Sequence, residues 1–329
     1  MIRLHVPFRQ LILISILLGM LISPIWAQVA TPNPIFSPLK SSSNNTKIED
    51  VDTEVTATPT MVPETTLEPE SDVVIEKTEH HVLKRPIELS ANHVHWVDRT
   101  YPYGGTLLET RDAHLGVEFV NPRYTPVYAS EAGTVVFAGS DSEFPIGPYE
   151  NYYGEVVIIA HDIASLDGLQ VYTLYGHLDR VEVDAGQELT LGQRIGRVGS
   201  SGIAIGAHLH FEVRVDDPFD YQSTRNPELW LQYYVNHGLM AGYIHDAEGN
   251  SIYGQRLVVR SETVNREVFT YGSDRVNTDP VWQENFTVGD LPADEYEVVM
   301  LNAKGLVVYR ERFVVEPYKT TFVDILTEE

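Results

Sequence analysis

From His81 to about Ile205 the apolar positions fall in short runs rich in β-branched and aromatic residues, broken by Gly, Pro and Asp. Thr134–Phe137, Val156–Ile159 and Val171–Tyr175 are the clearest of these runs. Runs of that length between turn residues predict strands, and their spacing predicts an all-β domain. The segment Pro227–Gly238 is the clearest helix candidate, because Leu229 and Tyr233 recur at helical spacing. A second β-rich set begins near Leu239. Arg256–Arg260, Tyr296–Leu301, Leu306–Arg310 and Thr321–Ile325 read as strands, and Asp246–Asn250 reads as a turn. Its size and spacing suit a small β-sandwich. No tandem repeat occurs, so the predicted fold class is mainly β, a β domain followed by a small sandwich.

The first eighty residues follow different rules. Arg3 and Arg9 precede an apolar run from Leu11 to Ile22, which is followed by Pro24 and Ala27. A positive start, a short apolar stretch and a small residue at the cleavage point predict a signal peptide over residues 1–27. The run is too short for a comfortable membrane span, so no stable span is expected after cleavage. A retained signal anchor is the alternative, and either way the rest of the chain is expected outside the cytoplasm. No Cys follows the apolar run, which excludes a lipid-anchored form. Ser, Thr, Pro, Asn, Asp and Glu dominate residues 28–80. Such a stretch buries too little apolar surface to offset its ordering entropy and reads as a disordered acidic linker. The expected division is therefore signal peptide 1–27, linker 28–80, a first domain 81–238 and a sandwich 239–329.

Composition narrows the chemistry. The formal net charge of -24 argues against nucleic acid and against an anionic membrane surface as partners, since both reward Lys and Arg. There is no cysteine, which excludes disulfides and thiol catalysis. Any metal must be held by His, Asp or Glu, a set that favours zinc or another divalent transition ion. No motif encodes an oligomeric state.

Four pieces of sequence carry candidate chemistry. In His114-Leu115-Gly116-Val117-Glu118 an extended chain would put His114 and Glu118 on one face, with Gly116 leaving room between them. The run His208-Leu209-His210-Phe211-Glu212-Val213-Arg214 alternates strictly, with His208, His210, Glu212 and Arg214 on one face and a core face opposite. The bland reading of that polar face is a solvated one. His177 ends a strand in Leu174-Tyr175-Gly176-His177-Leu178. Gly196, Gly199, Gly202 and Gly206 predict tight turns where backbone passes close to a groove. Metal-assisted hydrolysis fits these parts, because a catalytic zinc takes three N or O ligands and leaves a position for water.

In order, these pieces resemble the lysostaphin-like (LytM-type) zinc endopeptidases that cut peptide bonds of bacterial peptidoglycan. The resemblance rests on Tyr124–Ala129, Gly133-Thr134-Val135, Tyr175–Leu178, Gly192–Gly196, Gly206–Glu212 and Asn226-Pro227, and covers roughly residues 105–230. It implies an antiparallel β-sheet groove, Zn2+ held by His114, Glu118 and His210, and His177 and His208 as the catalytic histidines. It implies a secreted or envelope-associated enzyme acting on peptidoglycan or a related peptide. One residue departs from the pattern: the family's carboxylate is Asp, and Glu118 is one methylene longer. Glu118 is expected to bind all the same. The alternative is a catalytically weak member that serves as a cell-wall binding or hydrolase-regulating module. The C-terminal unit, with Glu284-Asn285-Phe286 and Gly289–Ala293, weakly resembles the transthyretin-like accessory domains of carboxypeptidases, which implies a binding module or a stabilising spacer.

Overall fold

The run Val156–Ile159 has no polar residue to turn toward solvent, and a strand of that kind must be covered on both faces. In the computed structural model, which describes residues 79–327, it is. Val157 and Ile159 enter one apolar cluster and Val156 and Ile158 enter another, so alternate residues of a single strand feed two cores. The expected signal peptide and nearly all of the expected linker lie outside the described residues. Glu79 and His80, at the linker's end, pack on the folded part: Thr320 N donates to Glu79 at 2.7 Å, and His80 is buried.

The first sheet has nine strands: β1 (Val117–Phe119), β2 (Pro126–Tyr128), β3 (Gly133–Ser140), β4 (Glu155–Ala164), β5 (Gln170–Val181), β6 (Glu188–Leu189), β7 (Arg194–Val198), β8 (Leu209–Val215) and β9 (Thr224–Arg225). Its main path runs β1-β8-β5-β4-β3-β6, with β9 on β8, β7 on β5 and β2 on β7. Every pair in it is antiparallel. β8 is interior, flanked by β5 on one side and by β1 and β9 on the other.

The helix expected over Pro227–Gly238 does not form. Only Pro227–Leu229 turns, as one 3₁₀ turn whose cap, Asn226, accepts from Glu228 N at 3.0 Å. Leu229, Trp230 and Leu231 are all buried, and three consecutive buried residues do not fit a single apolar helix stripe. Leu231 instead bridges in parallel to Leu83 of the N-terminal arm. By His237 the chain has become a strand.

That strand, β10 (His237–His245), starts the second β unit, which continues with β11 (Arg256–Arg260), β12 (Asn265–Phe269), β13 (Phe286–Pro292), β14 (Asp294–Leu301), β15 (Val307–Val315) and β16 (Thr320–Leu326). One sheet has the order β13-β10-β16 and the other β12-β11-β14-β15. The β10–β16 pair is parallel, whereas the other strand pairs among the described residues are antiparallel. Both sheets contribute to one core, for example Met240, Val288 and Val323 from the first and Leu257, Val298 and Met300 from the second. β10 faces two ways: Met240 and Ile244 enter this core, while Leu239 and Ala241 enter the core of the first sheet. Charge reinforces the joint. Asp290 of β13 pairs with Arg85 at 2.5 Å and Arg99 at 3.0 Å, and Arg99 also pairs with Glu228 of the 3₁₀ turn.

Candidate metal centre

The register of the first sheet assembles the centre. Glu118 of β1 lies directly across from His210 of β8, and Gly176 of β5 lies across from His210 on the other side. His177 and His208 thus sit next to positions already opposed in the ladder. His114 is not on β1, which begins only at Val117. A loop carries it, fastened by His114 N to Gly105 O at 2.9 Å and Gly104 N to His114 O at 2.7 Å. Gly116 is required for a different reason than expected: a Cβ there would fall 2.6 Å from the His210 ring. The missing side chain makes room for the imidazole itself.

Each of the four imidazoles is tethered through one ring nitrogen. His114 Nδ1 donates to Tyr101 O at 2.8 Å, and the ring stacks on Tyr101 with centroids 4.1 Å apart. His177 Nδ1 donates to Ser201 O at 2.9 Å, and His208 Nδ1 lies 3.2 Å from Gly206 O. His210 is tethered at the opposite nitrogen, its Nε2 bonding Glu212 at 2.9 Å. Since carbonyl oxygens only accept, the tethers assign the tautomers and leave the other nitrogens for the groove. His177 adopts φ 58, an unfavourable region for a side chain of this size, and its N–H donates to Tyr153 O at 2.8 Å.

Three ligand atoms converge. His114 Nε2, His210 Nδ1 and Glu118 Oε1 lie 3.0 to 3.2 Å from one another. Bonds of about 2.0 Å around a tetrahedral ion place neighbouring donors about 3.3 Å apart, so this triangle has the dimensions of one face of such a site. The donor set also calls for a cation. The outer nitrogens of His114 and His210 hold their protons, so their inner nitrogens and the Glu118 carboxylate converge on a point that takes a positive charge, either a proton on His210 or a metal ion. Glu118 Oε2 is buried without a hydrogen-bond partner; His208 Nε2 lies 3.0 Å away, outside bonding geometry. These residues fit zinc. The longer side chain of Glu118 does not prevent its oxygen from reaching both imidazoles.

Electrostatics are concentrated here. Burial opposes ionisation of Glu118, but the His210 charge and the contacts with His114, His208 and His210 hold it well below the usual carboxylate range. Burial likewise disfavours a charged His210, yet Glu118 and Glu212 outweigh it and raise this ring to about 9. Burial, then repulsion from His210 and His208, lowers His177 to about 3.

The polar face of β8 is not solvated. All seven of its residues are buried. Glu212 accepts from Arg214 Nε at 2.7 Å, Tyr153 Oη donates to Glu212, and Arg214 Nη2 donates to Tyr153 Oη at 2.9 Å. Arg214, the neighbouring hydrogen bonds and His210 hold Glu212 down to about 2 against its burial. The role of Glu212 and Arg214 behind His210 went unassigned at the sequence level, although their alternation with the histidines was the available signal. Tyr101 and Tyr153 carried no signal, because both come from irregular segments. The Gly-rich approach does bring backbones together. Gly202, at φ 68, packs against Gly154, where a Cβ would lie 2.5 Å from the facing amide.

His114, Glu118, His177, His208 and His210 all open on one cavity of about 1240 Å3. Among the described residues, His114, Glu118 and His210 form the group of metal-binding type.

A known family matches the part of the chain that holds the centre. Peptidase family M23 matches residues 112–223. The chain contains an M23 peptidase domain. Over 102 residues it is 37% identical to the peptidoglycan DD-endopeptidase ShyA of Vibrio cholerae, covering 31% of this chain and 20% of that protein. It is 34% identical over 110 residues to the DD-carboxypeptidase/endopeptidase Mpg of Neisseria meningitidis, covering 33% and 22% respectively. The chain thus spans about a fifth of the length of these relatives. The catalytic domain of lysostaphin from Staphylococcus simulans is 28% identical over 43% of this chain and 96% of that one, with a TM-score of 0.32. The M23 match includes all five residues of the centre and ends short of β9.

Proposed function

We propose that this chain is a secreted zinc-dependent endopeptidase that hydrolyses peptide bonds in peptidoglycan cross-bridges or stem peptides. The observation that carries this reading is the triangle of His114, Glu118 and His210 inside an M23 domain, with its atoms 3.0 to 3.2 Å apart. Zinc held there by these three residues would supply Lewis acidity toward the scissile carbonyl and the attacking water. Tyr101 and Glu212 fix the two ligand rings in the tautomers that ligation needs, through bonds of 2.8 and 2.9 Å. One of His177 and His208 would take the proton of the attacking water at its groove-facing nitrogen and pass it to the leaving amine, the other lying beside it. The tethers to Ser201 O and Gly206 O hold these rings in place for that transfer, so little reorganisation accompanies the reaction. The names of the relatives support a cell-wall substrate and a site of action outside the cytoplasm.

Metal analysis and cleavage of purified peptidoglycan, followed by release of new amino groups, test the reading. About one zinc per chain is expected. His210→Ala should lose both metal and cleavage, and His208→Ala should keep metal and lose cleavage. Cleavage at the parent rate by His210→Ala sinks the proposal. A binding module would retain peptidoglycan while releasing no amines.

A further inference from the structure

The connection from β12 to β13, residues 270–285, leaves the sandwich and joins the first domain. Tyr271, Val276 and Trp282 are buried in the same cluster as Phe211 and Val213 of β8. Asn226 Nδ2 donates to Tyr271 Oη at 2.9 Å, and Tyr271 Oη donates to Glu284 at 2.8 Å. Gly272 N donates to Gly104 O at 2.8 Å, and Tyr103 Oη donates to Asn277 O at 3.2 Å. The segment is therefore fastened to the loop that carries His114. It forms one bank of the groove: Ser273 and Arg275 open on the same cavity as the centre. Neither belongs to the part of the chain that matches the M23 family.

Arg275 has a counterpart in Arg111, on the loop before His114. Arg111 lines the cavity together with Tyr101, the ring stacked on His114. Among the described arginines these two alone have neither an ion pair nor a side-chain hydrogen bond; the others are paired or bonded. Both line this cavity and both are exposed. The cavity's other fixed charges are Asp98, Asp112 and Glu118. Asp98 is engaged by Thr100, whose N and Oγ1 donate to it at 2.6 Å. Asp112 pairs with neither guanidinium. In a chain of net charge -24, two unpaired guanidiniums in one groove are an uncommon concentration of available positive charge.

We propose that Arg111 and Arg275 form a carboxylate-binding subsite, through which the C-terminal unit selects peptides with a free carboxylate near the scissile bond. The proposal rests on the peptidase reading above. A guanidinium offers a planar fork of N–H donors that matches a carboxylate in two parallel hydrogen bonds. In this arrangement the sandwich, through its β12–β13 connection, completes the substrate groove.

A soluble stem-peptide dimer in four forms tests it: carboxylates free, C-terminal carboxylate amidated, side-chain carboxylates amidated, and both amidated. The full chain, Arg111→Ala, Arg275→Ala and Arg275→Lys are compared by kcat and KM with zinc bound, and by the Kd of the labelled dimer. Loss of a charge-assisted pair corresponds to a factor of about 10 to 100. The parent chain should prefer a free carboxylate by that factor in KM and Kd, and each alanine variant should lose the preference while the fully amidated dimer is handled as before. Arg275→Lys should retain part of it. The singly amidated dimers show whether a terminal or a side-chain carboxylate is read. Equal handling of free and amidated dimers by the parent overturns the subsite, as does an equal loss on all four forms in the variants. If the parent chain cleaves none of the dimers, the peptidase reading fails, and the Kd comparison still decides the subsite.

Discussion

β8 and β15 are strands of similar length with opposite surroundings. β8, Leu209–Val215, holds a histidine, a glutamate and an arginine, yet every residue in it is buried. β15, Val307–Val315, holds four valines, a tyrosine and a phenylalanine, yet Val307, Val308 and Val314 are exposed. Both contain Glu and Arg close together. The difference is position: β8 lies inside a sheet with partners on both sides, and β15 is an edge strand paired only with β14. Charges in an interior strand must pair with one another, so Glu212, Arg214, His210 and Tyr153 make a closed set. Charges on an edge meet water and cost little, and there they also discourage pairing with other chains.

Glu212→Ala should have the largest effect on stability, because it strands Arg214 without its buried partner. A loss of about 3–5 kcal/mol is expected in denaturant unfolding, with zinc affinity lower by about 10- to 100-fold as His210 loses its tether. A change no larger than that of a surface residue would break the comparison. Glu284 extends the comparison to a second buried acid. Burial pushes it up to about 8, so the folded chain holds a proton that the unfolded chain releases above its ordinary value near 4.5. The stability it contributes is complete below that value and is lost as pH rises through about 8, at about 1.4 kcal/mol per pH unit. Glu284→Gln should flatten that part of a stability profile measured by thermal unfolding; an unchanged slope would show that the acid is already ionised. Tyr153→Phe keeps the ring and removes one partner from Glu212 and Arg214, for an expected loss of about 1–3 kcal/mol by the same unfolding measurement. Glu311→Ala in β15 should stay within about 0.5 kcal/mol, and a larger loss would mean that the edge is covered in solution.

Much of the fold could be read from short apolar runs. Arg256–Arg260 is a strand over the residues expected, and Thr134–Phe137, Val156–Ile159 and Val171–Tyr175 lie inside β3, β4 and β5. Pro227–Gly238 misled because Leu229 and Tyr233 have helical spacing while Trp230 and Leu231 answer to other partners. The parallel pairing of β10 with β16 joins residues about eighty apart, which no local pattern encodes. At the centre, residue types and order pointed to His114, Glu118, His177, His208 and His210, and the structure brings all five to one cavity. The route differed for His114, which reaches Glu118 from a loop rather than along a strand.

By itself the sequence determined which side chains were available for chemistry: no thiol, four histidines in a recurring order, and a glutamate where the resembled family has an aspartate. It also determined that most apolar runs would be strands, because β-branched residues between turns favour that backbone. Only the tertiary structure decided which nitrogen of each histidine faces the groove, since that depends on a carbonyl or carboxylate supplied by another segment. It alone decided that Glu212 and Arg214 are buried while Val307 and Val314 are exposed, because burial belongs to a strand's place in the sheet rather than to its residues. And it alone brought residues 270–285 to the bank of a groove otherwise built by residues between 98 and 222, because packing and hydrogen bonds, unlike sequence patterns, act on distance in space.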